Sequence, residues 1–312
     1  MVSKFALKAI CIGFLSMLVT TSIFFFIKPD SEHYYQGSLE KVRLLENIPS
    51  PRIIIFGGSN IALGIDSEMM EKNFGIPVIN DGLQVGLGIT PLNEIRNYIR
   101  PGDIIIISLE YYNFTEEMLY GQPEYLSDWI EISPNRIWYL HDPVVQIPTI
   151  YTIMLQRKIN RQVNFYLYNR SLEAVRGVYT SAGFNERGDF VGHLEDDTPF
   201  EIPASMYPVN TLPAAYEELE AFHQYALSKG ARVFYEAQAH RQTNCDLTGM
   251  KALRKFYVTL KNNTTIPLLT DIKQLCLPDD YFYDTPYHLN ATGRKVRTER
   301  LIENLTNALD TQ

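Results

Sequence analysis

A serine hydroxyl is a poor nucleophile until a neighbouring base takes its proton. The chain carries the parts for such a step at two places far apart in sequence. In "FGGSN" (56–60) an apolar run drives into two glycines, Ser59 and Asn60. Gly57 and Gly58 permit a sharp turn and a close approach of backbone to substrate. If 60–64 begins a helix, the amides of Ser59 and Asn60 point outward at a positive helix end, which favours a developing oxyanion. The same residues also make an ordinary helix N-cap, worth ~1 kcal/mol. More than two hundred residues later, "DDYFYDTPYHLNATGRK" (279–295) sets Asp284 four residues before His288. Pro286 disfavours a helix between them, so the pair projects from a bent loop ahead of the last helix. An Asp beside a His fixes its tautomer and stabilises the imidazolium. The plainer role for His288 is packing where that helix begins.

The elements that must position these residues read as alternating strands and helices. Short apolar runs at 52–57, 76–81, 103–110, 231–239 and 266–271 predict strands, with 103–110 the strongest. Helices are predicted at 66–75, 90–103, 213–230 and 250–263, and from about Ala291 to the end. Leu92, Ile95 and Ile99 form one buried stripe, and Leu219, Phe222, Ala226 and Leu227 another. The pattern implies an α/β fold, a parallel sheet with helices on both faces. In such sheets ligands bind at the carboxyl ends of the strands, where Ser59 falls. Residues 111–211 break the rhythm. They are rich in Tyr, Asn and Pro, hold Trp129 and Trp138, and include a possible helix at 144–159, so they read as an insertion serving as a lid or binding element.

The N-terminus bears on the compartment. Residues 9–27 are nineteen in a row without a charge, enough to span a bilayer core of ~30 Å. Lys4 and Lys8 precede the run, while Asp30 and Glu32 follow beside a single Lys28. This charge bias predicts a cytoplasmic N-terminus and an extracytoplasmic remainder. A signal peptide is the rival, but its apolar core is shorter and ends in small residues, not Phe-Phe-Phe-Ile. The chain is thus divided into an anchor (1–28), a polar stalk leading into a first helix (29–50) and an α/β domain (51–312). A net charge of −8 disfavours nucleic acid as a partner. Cys245 and Cys276 would lie in an oxidising space as a bridge or as two separate thiols. Paired Cys/His ligand motifs and a Gly-x-Gly-x-x-Gly turn are both lacking, so the motifs imply no metal and no dinucleotide.

Four blocks appear in the order of the SGNH (GDSL-like) hydrolase superfamily, which the chain resembles. "FGGSN" resembles the first, with Ser59 at the nucleophile position. "VINDGLQVGLG" (78–88) resembles the second, with Gly82 at the oxyanion-hole glycine. "GDIIIISLEYYNF" (102–114) stands in place of the third, and "YDTPYHLNATG" (283–293) resembles the last, with Asp284 and His288. The resemblance implies a three-layer, flavodoxin-like SGNH-type sheet and a Ser59–His288–Asp284 triad. It implies an oxyanion hole from the amides of Ser59 and Gly82, with Asn113 as a third donor. Three departures stand out. Gly58 replaces the usual Asp before the serine. One extra residue separates Asp284 from His288, which keeps Asp280 as an outside candidate. The third block lacks its Gly-x-Asn-Asp, and Asn113 comes a few residues late. Asn60 and Glu110 are substrate-binding candidates, although Glu110 also fits a salt-bridged strand end.

Together with the anchor, the resemblance implies a bacterial envelope enzyme that moves or removes O-acyl groups on a cell-surface polysaccharide. Its implied partners are an acylated polymer or acyl donor, a multi-span membrane acyltransferase, and the bilayer through residues 9–27. The competing class is a non-catalytic envelope protein that binds a glycan or such a partner. Other residues invite plainer roles. His223 suits core packing. "ERGDFVGHL" (186–194), with His193, suits a solvated turn. Arg294, Lys295, Arg297 and Arg300 crowd the first turns of the last helix against its dipole, as a solvated face or as contacts to lipid phosphate or an anionic polymer.

Overall fold

The computed structural model describes residues 2–26, 30–168, 177–196, 198, 200–208, 210–271, 274 and 276–311. Four parallel strands form the central sheet: β1 (Ile53–Gly57), β2 (Val78–Asn80), β3 (Ile104–Ser108) and β4 (Arg232–Tyr235), in the order β2-β1-β3-β4. A fifth position is marked only by a parallel bridge between Tyr235 and Leu268. The predicted strand at 266–271 therefore shrinks to one bridge, with Tyr235 bonded to Pro267 O and the Leu269 amide. A two-stranded sheet, β5 (His240–Arg241) with β6 (Cys276–Leu277), stands apart.

Strand side chains alternate between the two faces, so an unbroken apolar run means cover on both. Ile54, Phe56, Ile105, Ile107 and Val233 enter one core with Leu219, Phe222, Leu253 and Phe256. Those partners come from α8 (Pro213–Ser228) and α10 (Met250–Asn263). Ile53, Ile55, Ile104, Ile106 and Phe234 enter the other core with Met70, Leu301 and Leu305. Here the cover is α4 (Ser67–Phe74) and α11 (Ala291–Asp310). Gly75 ends α4 with φ 67°, a left-handed cap suited to glycine.

Several expectations change in detail. The helix expected over 90–103 is only α5 (Leu92–Ile95) followed by a 3₁₀ turn, though Leu92, Ile95 and Ile99 are all buried. Leu227 is exposed, because it lies ~100° around the helix from Ala226. The segment 29–50 is not a solvated stalk throughout. Helix α2 (Gly37–Asn47) buries Lys41 and Leu45, and Lys41 donates its ammonium to the carbonyls of Asn80 and Gly188. Its polar residues hid this because their partners are backbone oxygens, which sequence pattern does not show.

The remaining helices are α1 (Val2–Phe26), α3 (Ser59–Ala62), α6 (Pro123–Ile132), α7 (Pro143–Tyr168) and α9 (Gln242–Thr248). Among the described residues no helix is long and apolar enough to cross a membrane. Helix α1 keeps Ile10, Ile12, Phe14, Leu15, Leu18 and Val19 exposed, and its side chains at 2–3, 16–17, 20–21 and 23–26 lie outside the described residues. The run 9–27 is thus described only in part. Within the insertion, α6 and α7 pack on each other, with Trp129 buried and Trp138 exposed. Cys245 and Cys276 form a disulfide.

Candidate functional site

The strand order reverses direction between β1 and β3, the kind of switch point where open α/β sheets bind ligands. Gly57 and Ser108 are register partners at the ends of those strands, so Ser59 and Glu110, each two residues on, emerge side by side. Ser59 starts α3, and Gly58 before it is extended (φ −81°, ψ −154°). The Asn60 amide donates to Glu110 Oε1 over 3.4 Å, and the Asn60 side chain donates to Ser108 O over 3.3 Å. Glu110 is 1 % exposed. Burial pushes its carboxyl up to about 7, against the opposing pull of the Asn60 amide, Arg297 and the Ser59 hydroxyl.

Gly82 lies beside this turn, with the position its Cβ would take 2.6 Å from the Ala62 nitrogen. Its amide donates to Asn80 Oδ1 over 3.0 Å, and the Asn80 amide group donates to Ile61 O and Asp189. Asn113 is engaged in its own loop. Its Oδ1 accepts from the Glu110 amide over 3.1 Å and its Nδ2 donates to Val85 O over 2.8 Å, the role of a turn residue after a strand.

The bend before α11 presents His288. Asp284 Oδ1 lies 2.7 Å from His288 Nδ1, and the Tyr179 hydroxyl donates to Asp284 Oδ2 over 2.5 Å. Tyr179 also stands 3.1 Å from His288 Nδ1. Burial alone would raise the Asp284 carboxyl, but His288 and the Tyr179 hydroxyl outweigh it and hold the group below its ordinary value. With Nδ1 engaged, Nε2 is the ring nitrogen left to face an incoming group. Thr285 Oγ1 accepts from the His288 amide, and a bridge from Phe282 to Leu289 closes the bend. Asp280 is exposed and its carbonyl accepts from Asn290, and it is Asp284 whose carboxylate meets His288.

Helix α11 brings the two halves to one edge. Arg297 donates to Asn60 O over 2.6 Å and to Ser108 Oγ over 2.9 Å. Arg294 donates to Ile65 O over 2.7 Å and to Asp189 over 2.9 Å. Both arginines are buried, which corrects the expectation of a solvated or phosphate-binding face at these two positions. Lys295 is exposed, and Arg300 donates to Gln274 O. Among the described residues no hydrogen bond joins Ser59 to His288. Two ionisable side chains meet the serine turn instead, Arg297 at Asn60 O and Glu110 at the Asn60 amide.

The insertion supplies the rest. Phe190 donates its amide to Ala62 O over 2.7 Å and stacks on Tyr179, while Tyr34 meets both rings at their edges. His193 is not on a solvated turn. It is 2 % exposed, stacks on Phe190 and lies 2.9 Å from Leu289 O. Burial lowers it to about 4, so it is neutral and Nε2 carries the proton donated to Leu289. His223 is buried on α8 beside Glu220 and Thr265, as expected of a core histidine. Sequence reasoning missed Tyr179, and only its closeness to the "GDFVGH" turn hinted at it. No protein-family model matches the chain, and no curated protein is significantly similar to it.

Proposed function

We propose that the chain is a membrane-anchored, extracytoplasmic serine acyl-ester enzyme of SGNH type, acting on O-acyl groups of a cell-envelope polysaccharide. The observation that carries this is the Asp284–His288 pair, with Nδ1 on the carboxylate, at the sheet edge where α11 also holds the Ser59 turn. In the proposed reaction Ser59 Oγ attacks the ester carbonyl while His288 Nε2 takes the hydroxyl proton. The tetrahedral adduct collapses, the carbonyl re-forms, the C–O bond to the leaving alcohol breaks, and His288 gives the proton to that oxygen, leaving an acyl ester on Ser59. A second hydroxyl, deprotonated by His288, then attacks the acyl-enzyme and Ser59 recovers its proton. Water as acceptor gives an esterase and a sugar hydroxyl gives an acyltransferase. The step requires Ser59 Oγ and His288 Nε2 to close to about 3 Å, a contact that commonly tightens only when substrate binds. The exposed apolar side chains of α1 support an anchor, and the Cys245–Cys276 bridge supports an oxidising compartment.

Labelling of the full chain in detergent micelles with a fluorophosphonate tests the reading. An adduct on Ser59, absent in Ser59→Ala and at least about 100-fold slower in His288→Ala, is the expected result. A folded chain that takes no label overturns it. One observation favours a second reading, a non-catalytic envelope binder: among the described residues the His288 ring bonds to Asp284 and Tyr179 and no hydrogen bond joins it to Ser59. Saturable glycan binding by a chain that never labels would establish that class instead.

A further inference from the structure

We propose that the Glu110 carboxyl is the side-chain hydrogen-bond donor to the acyl oxygen held over the Ser59–Asn60 turn, in the place where the resembled pattern puts an asparagine. This inference rests on the acyl-ester reading above. Its first support is position. Glu110 reaches the amide of Asn60 at the opening of α3, where a developing oxyanion would be held. The alternative donor, Asn113, is engaged with Val85 O and the Glu110 amide.

The second support joins two departures that looked unrelated in sequence. A Cβ on Gly58 would lie 2.7 Å from Glu110 Oε1 and 3.0 Å from the Val85 nitrogen. The carboxyl of Glu110 thus fills the space a side chain at position 58 would need. A carboxyl next to the serine is kept, but it arrives from the neighbouring strand end instead of from the preceding residue.

The third support is the setting. Tyr34 and Tyr287 face the carboxyl as neutral hydroxyls, both held well above their ordinary range chiefly by burial. The Ser59 hydroxyl lies on the α3 side. Arg297 is the facing cation, but its Nη groups bind Asn60 O and Ser108 Oγ, and it shares its charge with Glu236 behind it. Among the described residues no salt bridge joins Glu110 to a cation. A buried carboxyl pushed up to about 7 is protonated below neutral pH and in about half of the molecules at pH 7. It accepts from the Asn60 amide and, in the capping box of the turn after β3, from the Asn113 amide, and its protonated oxygen can still donate. No covalent bond to Glu110 forms or breaks in this role.

The experiment follows hydrolysis of p-nitrophenyl acetate and fluorophosphonate labelling by the full chain in micelles from pH 5 to 9, with Glu110→Gln, Glu110→Ala, Ser59→Ala and melting curves for each. The wild type is expected to lose rate as pH rises through about 7, as Glu110 ionises and ceases to donate. Glu110→Gln keeps a donor, so it retains activity within about 10-fold and loses that alkaline decline. Glu110→Ala falls by about 10²–10³-fold. A folded Glu110→Gln as inactive as Glu110→Ala overturns the inference and marks the carboxylate as a base. An alkaline decline unchanged in Glu110→Gln overturns it too, as does wild-type activity in Glu110→Ala. If Glu110→Ala does not fold, the Glu110→Gln pH profile decides. A wild type no faster than Ser59→Ala sinks the acyl-ester reading itself, and this inference with it.

Discussion

Arg297 Nη1 donates to the carbonyl oxygen of Asn60 over 2.6 Å, which ties the last helix to the turn that begins with Ser59. The guanidinium is 4 % exposed and also reaches Ser108 at the end of β3. It therefore clamps two strand ends and α11 together. Arg297→Met leaves the buried Asn60 carbonyl and Ser108 hydroxyl without this donor and removes the cation that faces Glu236. The expected loss is about 3–5 kcal/mol, read as a shifted denaturant midpoint at constant slope. A loss under 1 kcal/mol would show that the clamp is not needed.

Tyr179→Phe removes the hydroxyl shared by Asp284 and His288. Activity on an ester substrate is expected to fall about 10-fold with KM little changed, because the imidazole is less firmly held. The ring still stacks on Phe190, so stability drops by no more than about 1–3 kcal/mol. An unchanged kcat across pH would place Tyr179 outside the working site.

Gly58→Ala forces a methyl toward Glu110 Oε1 and the Val85 nitrogen. Overpacking of this kind costs about 1–3 kcal/mol. Glu110→Ser in the same chain opens the space. The double-mutant cycle should then show a coupling of at least 0.5 kcal/mol, with the glycine substitution milder in the serine background. Additive effects would mean that the two positions do not compete for room.

His193 contributes a pH-dependent part of the stability. Its folded value, about 4, lies below the ordinary histidine value, chiefly because the ring is buried. As pH falls below about 6.5 the unfolded chain takes a proton that the folded chain refuses, so the contribution shrinks until pH passes about 4. Between pH 7 and pH 5 the wild type should lose about 2 kcal/mol more than His193→Gln. Urea titrations at both pH values measure this, and parallel losses would refute it.

The Cys245–Cys276 bridge closes a loop with a sequence separation of 31. Replacing both cysteines with Ala is expected to cost about 2–4 kcal/mol. Intact mass after alkylation should show one modified thiol, Cys11, without reductant and three with it. Three modified thiols before reduction would show that the bridge does not form.

Local pattern made parts of this molecule readable. The runs "RIIIFG" and "DIIIISLE" announce β1 and β3 because both faces of each strand are covered, so every residue must be apolar. Their ends place Ser59 and Glu110 at a carboxyl edge before any coordinates are known. Asp284 and His288 are close in sequence, and Pro286 between them bends the chain, so their pairing is local as well. Other features were hidden because they join positions far apart. Tyr179 meets Asp284 across 105 residues, and Arg297 meets Asn60 across 237. An arginine in an early helical turn looks solvated until a carbonyl from a distant turn accepts its hydrogen bond. His193 looks polar until Phe190 and Tyr283 close over it.

By itself, then, the sequence determined the alternation of strands and helices, the glycine turn that exposes a serine, and an acid beside an imidazole. Each of these depends on neighbours within a few residues. Tertiary structure alone decided that a carboxyl from the turn after β3 occupies the space beside Gly58, that α11 braces the serine turn, and that Glu110 takes the Asn60 amide next to Ser59. Those outcomes depend on strand order and on which buried charges find partners, and both are set by contacts between segments that carry no common local signal.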